Sequence, residues 1–308
     1  MQRRELVRSG LFGVAAAAAG AAHAAQDAAP AKKRLSENWD VVVVGAGFAG
    51  MCAALEAAER GAKTVLLEKM NRPDGATVYS SGWIAAVGSR FQKNHPEDSP
   101  KAFFEDMMRL SHQRSDPELI KVYAEESGAG IDWLADHGTP FYLWEGLPAP
   151  ELSRCLISPG EGITGGSKLI RCLMAALEKK GVAIHYNTKA VSLVKDECFN
   201  VEGVSCITPE GRKDYLARGG VILTTGGYGA NEAMVDKYIG PWASRLIVRG
   251  SPWITGENIL MAEEVQALLV NMDQFYAGPI TPTGHCNPSP LMHAGYGIQV
   301  NTKGKRFV

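Results

Sequence analysis

Three glycines, Gly45, Gly47 and Gly50, stand in G-x-G-x-x-G order within "DVVVVGAGFAG", and an acidic residue, Glu68, follows downstream. This spacing can hold a pyrophosphate. Gly45 permits a tight turn, Gly47 lets the backbone approach the phosphates, and Gly50 lets a following helix pack closely on the preceding strand. The first N–H groups of that helix, around Ala49, offer partial positive charge to an anion. The Glu68 carboxylate can accept hydrogen bonds from ribose hydroxyls, and it disfavours a 2′-phosphate. The alternative is an ordinary glycine turn in an α/β protein, so the flanking elements have to decide.

Those elements are present. Asp40 to Val44 is apolar without alternation, as expected of a parallel strand buried on both faces. Ala49 to Arg60 is expected to be helical, with Gly61 closing it, and Thr64 to Leu67 to be the second strand, ending at Glu68. Further helices are expected after Ser99-Pro100, from Asp116-Pro117 to His137, and after Ser167 up to Gly181. Strands are expected in "VAIHY", "AVSLV", "VEGVSCI" and "GVILTT". Helices interleaved with strands indicate an α/β architecture. FAD and NAD both bind such a βαβ unit, so the glycine fingerprint does not choose between them.

The stretch after it does. "LLEKM" is followed by "NRPDGATVYSSGWIAAVGS". This resembles the FAD-binding family of fumarate reductase flavoprotein subunits, which includes flavocytochrome c, urocanate reductase and 3-ketosteroid dehydrogenase types. Their pattern is E-K, then G-G-N-(S/T), then a small-residue S-G-G stretch, matched here by Glu68, Lys69, Gly75, Ala76, Thr77, Ser81 and Gly82. Asp74 stands where the first glycine is usual, and Ala76 where asparagine is common. One side-chain hydrogen bond to the cofactor is therefore expected to be absent. "GIDWLADHGTPF", "GVAIHYNTKAVSLV", "VEGV" and "GVILTTGGYGAN" extend the resemblance, which implies that Ala190 meets the adenine and that Gly226 and Gly227 pass close to FAD. In "TGENILMA", Glu257 and Asn258 replace the usual aspartate and glycine. The resemblance covers residues 40 to 308.

It implies a Rossmann-like FAD-binding domain over 40–272 and the beginning of a capping, substrate domain over 273–308. No histidine lies between Glu68 and Phe91, so the FAD is expected to be non-covalent. No second G-x-G-x-x-G follows, so no separate NAD(P)H site is expected. Fumarate reductases bind dicarboxylate through "Q-x-H-P-T" and "T-E-A-x-R-G-x-G". Here Tyr276 and Gly278 replace the glutamine and histidine. Pro290, Leu291 and Ala294 replace the threonine, glutamate and arginine. The partners that an anionic substrate needs are missing, so fumarate and succinate are not expected. Tyr276 and His293 remain as substrate candidates for a larger, less charged organic molecule, and packing of the cap is the alternative role for both. "NTKGKRFV" resembles a segment that the family places inside the cap, upstream of its catalytic arginine. The expectation is a C-terminally truncated chain with no catalytic residue identified. Its parent would be an oxidoreductase acting on CH–CH groups; the competing expectation is an inactive FAD-binding fragment.

Residues 1–25 read as a twin-arginine export signal: Arg3 and Arg4, an alanine-rich apolar run, then Ala22-His23-Ala24 as the cleavage site. A polar 26–39 linker follows. The expected location is periplasmic, with a cytochrome c or a quinone-linked carrier as the electron partner. The apolar run is too short for a stable membrane span. The net charge of -1 gives no general attraction to nucleic acid. The six cysteines show no C-x-x-C or C-x-x-C-H spacing, so neither a metal site nor attached haem is expected.

Overall fold

The computed structural model describes residues 35–92, 98–144, 154–160, 164–248, 250–276, 298 and 300–306. Its centre is a six-stranded sheet of order β6-β2-β1-β9-β8-β7. β1 (Leu35–Val44), β2 (Thr64–Leu67) and β6 (Ala183–His185) form its parallel half, with Val41 opposite Thr64 and Val44 opposite Leu67. β7 (Lys189–Lys195), β8 (Val201–Thr208) and β9 (Gly211–Leu223) form an antiparallel meander. Between β2 and β6 in sequence come a second, three-stranded antiparallel sheet, β3 (Trp83–Ala85), β5 (Cys155–Ile157) and β4 (Tyr142–Leu143), and most of the helices.

The valine run is buried because both faces of its strand are covered. Val43 and Leu66 pack with Met51, Ala54 and Leu55 of α1 (Phe48–Glu59) and with Leu169, Leu173 and Leu177 of α5 (Gly165–Lys180). Val42, Val44, Val65 and Leu67 point the other way, into a cluster with Leu193, Val204, Tyr215 and Met261. Successive residues of a strand face opposite sides, so a strand covered on both has no place for a polar residue.

β1 starts at Leu35, inside the stretch expected to be linker. Polar residues had argued against a strand there. They are accommodated by side-chain pairing: Glu37 accepts from Lys213 on β9, and Trp39 lies beneath the Lys63 ammonium, 4.6 Å away. The helices after Ser99 and Asp116 appear as α3 (Pro100–Leu110) and α4 (Pro117–Asp136), each capped by that residue's side chain. A short α2 (Ala76–Tyr79) precedes them.

α5 begins earlier than Ser167, with Thr164 as its cap; the Thr164 hydroxyl accepts from the Ser167 N–H at 3.0 Å. Gly165 and Gly166 are weak helix formers, yet they belong to this helix for a steric reason. A Cβ on Gly165 would sit 2.2 Å from the Ser81 carbonyl oxygen, and one on Gly166 would sit 1.8 Å from that of Thr77. Beyond β9 come α6 (Glu232–Tyr238) and α7 (Glu257–Glu263).

Candidate cofactor cleft

The carboxyl ends of β1, β2 and β9 open into a cleft lined by the glycine turn on one side and by the segment from Ser251 to Glu257 on the other. The β1–α1 turn forms one wall. Gly45 has φ +106, and its N–H donates to the Leu67 carbonyl at 2.7 Å. A Cβ on Gly50 would lie 1.9 Å from the Gly45 oxygen, so helix and turn touch backbone to backbone. A Cβ on Gly47 would meet nothing within 4 Å, and Gly47 lines the cleft. The motif thus closes space at Gly45 and Gly50 and leaves it open at Gly47. Gly47 caps α1 without a side-chain partner for the first N–H groups, and no acidic residue occupies the first turn. That helix end is suited to an anion.

Glu68 is only 7% exposed. One of its oxygens accepts from the Ala46 N–H at 2.8 Å and the other from the Met70 N–H at 2.9 Å. The residue expected to meet a ribose therefore also braces the glycine turn. Thr224, just past β9, donates from its hydroxyl to the Val44 and Gly45 carbonyls at 2.7 and 3.0 Å, fixing the turn from the other side.

The segment from Ser251 to Glu257 forms the facing wall. Lys69 reaches across to it: the Lys69 ammonium donates to Glu257 Oε1 at 2.7 Å, to the Thr255 hydroxyl at 3.0 Å and to the Trp253 carbonyl at 2.5 Å. Burial opposes ionisation of Glu257, but the Lys69 ammonium and the Thr255 hydroxyl outweigh it, so the carboxyl is held below its ordinary range. Glu257 Oε2 is buried without a protein partner, an acceptor available to a ligand donor inside the cleft. Nearer the turn, Asp74 and Ser251 join the two walls through a 3.2 Å hydrogen bond.

Of the residues singled out from sequence, Gly45, Gly47, Ala49, Glu68, Lys69, Ala76, Thr77, Ala190, Gly226 and Glu257 line this one cleft. Gly50 packs behind its turn. Ser81 and Gly82 lie outside the lining; Gly82 abuts the start of α5, where a Cβ would be 2.5 Å from the Gly165 carbonyl carbon. Tyr276 is 81% exposed, and His293 lies outside the described residues. The sequence reading missed Thr188, Lys189, Thr224, Thr225, Ser251 and Trp253 as lining residues. Both threonines of "GVILTTGGYGAN" follow directly on a strand end, the one signal that could have marked them. Among the described residues, no group of three His, Cys, Asp or Glu side chains could hold a metal ion, and no helix is long and apolar enough to cross a membrane.

The FAD binding domain family matches residues 40–308. A urocanate reductase of Eggerthella lenta is 34% identical over 291 residues, spanning 90% of this chain and 47% of that protein. Among solved structures, the open conformation of a flavocytochrome c3 fumarate reductase superposes with a TM-score of 0.77 at 30% identity, over 94% of this chain and 50% of that one. The 3-ketosteroid-Δ4-(5α)-dehydrogenase of Rhodococcus jostii RHA1, solved with 4-androstene-3,17-dione, gives 0.77 at 29% identity, over 90% and 62%. The chain spans about half the length of the curated relatives it matches.

Proposed function

The chain belongs to the FAD binding domain family, and on that premise we propose that it is the cofactor-holding part of an exported oxidoreductase with non-covalent FAD. The observation that carries the reading is the cleft. The glycine turn, Glu68, Ala190 and Glu257 come from four separate parts of the chain and face one cavity, which is open at Gly47, the one position where a pyrophosphate needs room. The residues present fit the group: a helix start without side-chain caps for the phosphates, Glu68 and the unpartnered Glu257 Oε2 for hydroxyl or amino donors, and Ala190 as a small apolar contact.

When bound, FAD supplies hydride transfer to or from carbon. The residues lining the cleft would bind it and orient it. We assign the substrate to organic molecules that gain or lose hydrogen across a carbon–carbon bond. Fumarate and succinate are disfavoured by Tyr276, Gly278, Pro290, Leu291 and Ala294. The family relatives support a reductase or dehydrogenase, and the flavocytochrome relative supports a cytochrome-type electron partner. The Arg3-Arg4 signal supports delivery to the periplasm.

The test is anaerobic. The purified protein is reconstituted with FAD, its bound flavin spectrum is recorded, and oxidation of reduced viologen is followed with urocanate, an enone steroid and fumarate. Bound flavin is expected of this chain, and turnover, on a substrate other than fumarate, only where the rest of the oxidoreductase is supplied with it. Gly47→Trp should abolish both, because the indole would fill the space left at Gly47. Flavin binding that survives Gly47→Trp would sink the assignment of the cleft.

A further inference from the structure

The wall from Ser251 to Glu257 is held unequally at its two ends. Its second half is tied several times over. Lys69 holds Thr255 and Glu257, the Ala230 N–H donates to the Ile254 carbonyl at 3.1 Å, and the Asn231 side-chain amide donates to the Thr255 carbonyl at 3.0 Å. Its first half is held at the Trp253 carbonyl by the Lys69 ammonium, 2.5 Å away, and otherwise depends on Ser251. The Ser251 hydroxyl is fully buried; it accepts from the Trp253 N–H at 3.2 Å and donates to Asp74 Oδ1 at 3.2 Å. The same Asp74 oxygen accepts from the Gly75 N–H at 2.7 Å. Gly75 has φ +100 and leads into Ala76 and Thr77, which line the cleft, and its Cα side faces Gly47. Asp74 is 4% exposed, and its second oxygen has Arg72 at 3.5 Å. One carboxylate oxygen thus sets the turn on one wall and the hydroxyl that shapes the other. These two residues are 177 positions apart in sequence.

We propose that Asp74 and Ser251 are positioning residues of the cofactor cleft: their hydrogen bond holds the Ser251–Trp253 end of the facing wall closed and so sets the rate at which the cofactor leaves. The inference rests on the FAD reading above. Acceptor geometry is what matters, since both donors address a single oxygen. An aspartate at position 74 supplies it where a glycine would leave the Gly75 N–H and the Ser251 hydroxyl without this acceptor.

The experiment measures FAD dissociation from the intact protein by the rise in flavin fluorescence on release, alongside the thermal midpoint of the cofactor-free protein. Asp74→Ala and Ser251→Ala should each speed release about tenfold or more, the effect of losing a hydrogen bond to a charged group. The double variant should release FAD no faster than the faster single one, because both remove the same bond. Asp74→Asn should stay within about threefold of the parent, since its amide oxygen can accept from both donors. Ser251→Ala is a small change that keeps the test open should Asp74→Ala fail to fold. Unchanged release rates, additive effects in the double variant, an Asp74→Asn that behaves like Asp74→Ala, or a lowered thermal midpoint without faster release would each overturn the proposal. A parent protein that retains no FAD would overturn the FAD reading and this inference with it.

Discussion

The two walls of the cleft are built by opposite means. The β1–α1 wall is shaped by backbone: Gly45 and Gly50 meet carbonyl oxygens at distances no side chain would allow, and the Glu68 carboxylate and Thr224 hydroxyl brace the turn by bonding its main-chain groups. The Ser251–Glu257 wall is made of side chains reaching from Asp74 and Lys69. A wall defined by close backbone approach tolerates almost no substitution at its contacts. A wall defined by side-chain pairs can loosen by degrees, one hydrogen bond at a time.

The sharpest way to break this comparison is Gly50→Val. Its Cβ would fall 1.9 Å from the Gly45 oxygen, and backbone cannot yield there without moving β1 or α1. A loss of about 3 kcal/mol or more is expected, read as a lowered denaturation midpoint of the cofactor-free protein. An unchanged midpoint would show that the turn wall is as yielding as the other.

Lys69→Met should act more mildly and on the other wall. It leaves Glu257 with only the more distant Lys189 ammonium, 4.0 Å away, and costs about 1–3 kcal/mol. The loss should appear mainly in FAD affinity measured by titration. A loss confined to fold stability would mean that the pair only staples the domain.

The smallest effect serves as a control away from the cleft. His137 Nε2 lies 2.8 Å from Glu59 Oε1, joining the ends of α4 and α1. Burial works against charged His137, but the Glu59 carboxylate and the Trp133 carbonyl outweigh it, so its pKa is raised above the ordinary 6.5. The hydrogen bond from His137 holds Glu59 below 4.5. The histidine contribution is complete below pH 6.5 and is lost as pH rises through the folded value. The Glu59 contribution is complete above 4.5 and is lost as pH falls through its folded value. The clasp should therefore stabilise most between these limits, by at most about 1 kcal/mol. His137→Ala should lower the thermal midpoint near pH 6 and leave it nearly unchanged at alkaline pH, without altering FAD release. A pH-independent difference would remove the ion pair from the account.

These contrasts explain what could be read from the residues alone. The βαβ unit was legible because glycine spacing and an unbroken valine run each carry one physical meaning. β7 and β8 were legible because β-branched residues cluster between turn residues, but of β9 only its end was, and the half from Gly211 to Leu216 that pairs with β8 was not. The start of α5 was not, since Gly165 and Gly166 discourage a helix until the backbones of Ser81 and Thr77 are known to press against them. Ser251 and Trp253 were not, because nothing local marks a serine as the partner of an aspartate far away in sequence. The start of β1 was misplaced for a related reason: Glu37 looks like linker until Lys213 is beside it.

The position of β9 between β1 and β8 has a consequence for the order in which the molecule is made. When the β1–α1–β2 unit leaves the ribosome, the strand that will lie on its other side has not been synthesised. Valines 42 and 44 then flank a bare strand edge, the kind of edge that pairs with other chains. That edge stays open until residues 211–223 arrive, and the Thr224 hydroxyl cannot brace the glycine turn before then. The meander of β7, β8 and β9 joins neighbours in sequence and can form early, whereas docking β9 on β1 closes a loop of well over a hundred residues and is intrinsically slow. The cofactor cleft therefore cannot form before β9 is made, and the nascent chain carries this open edge until then.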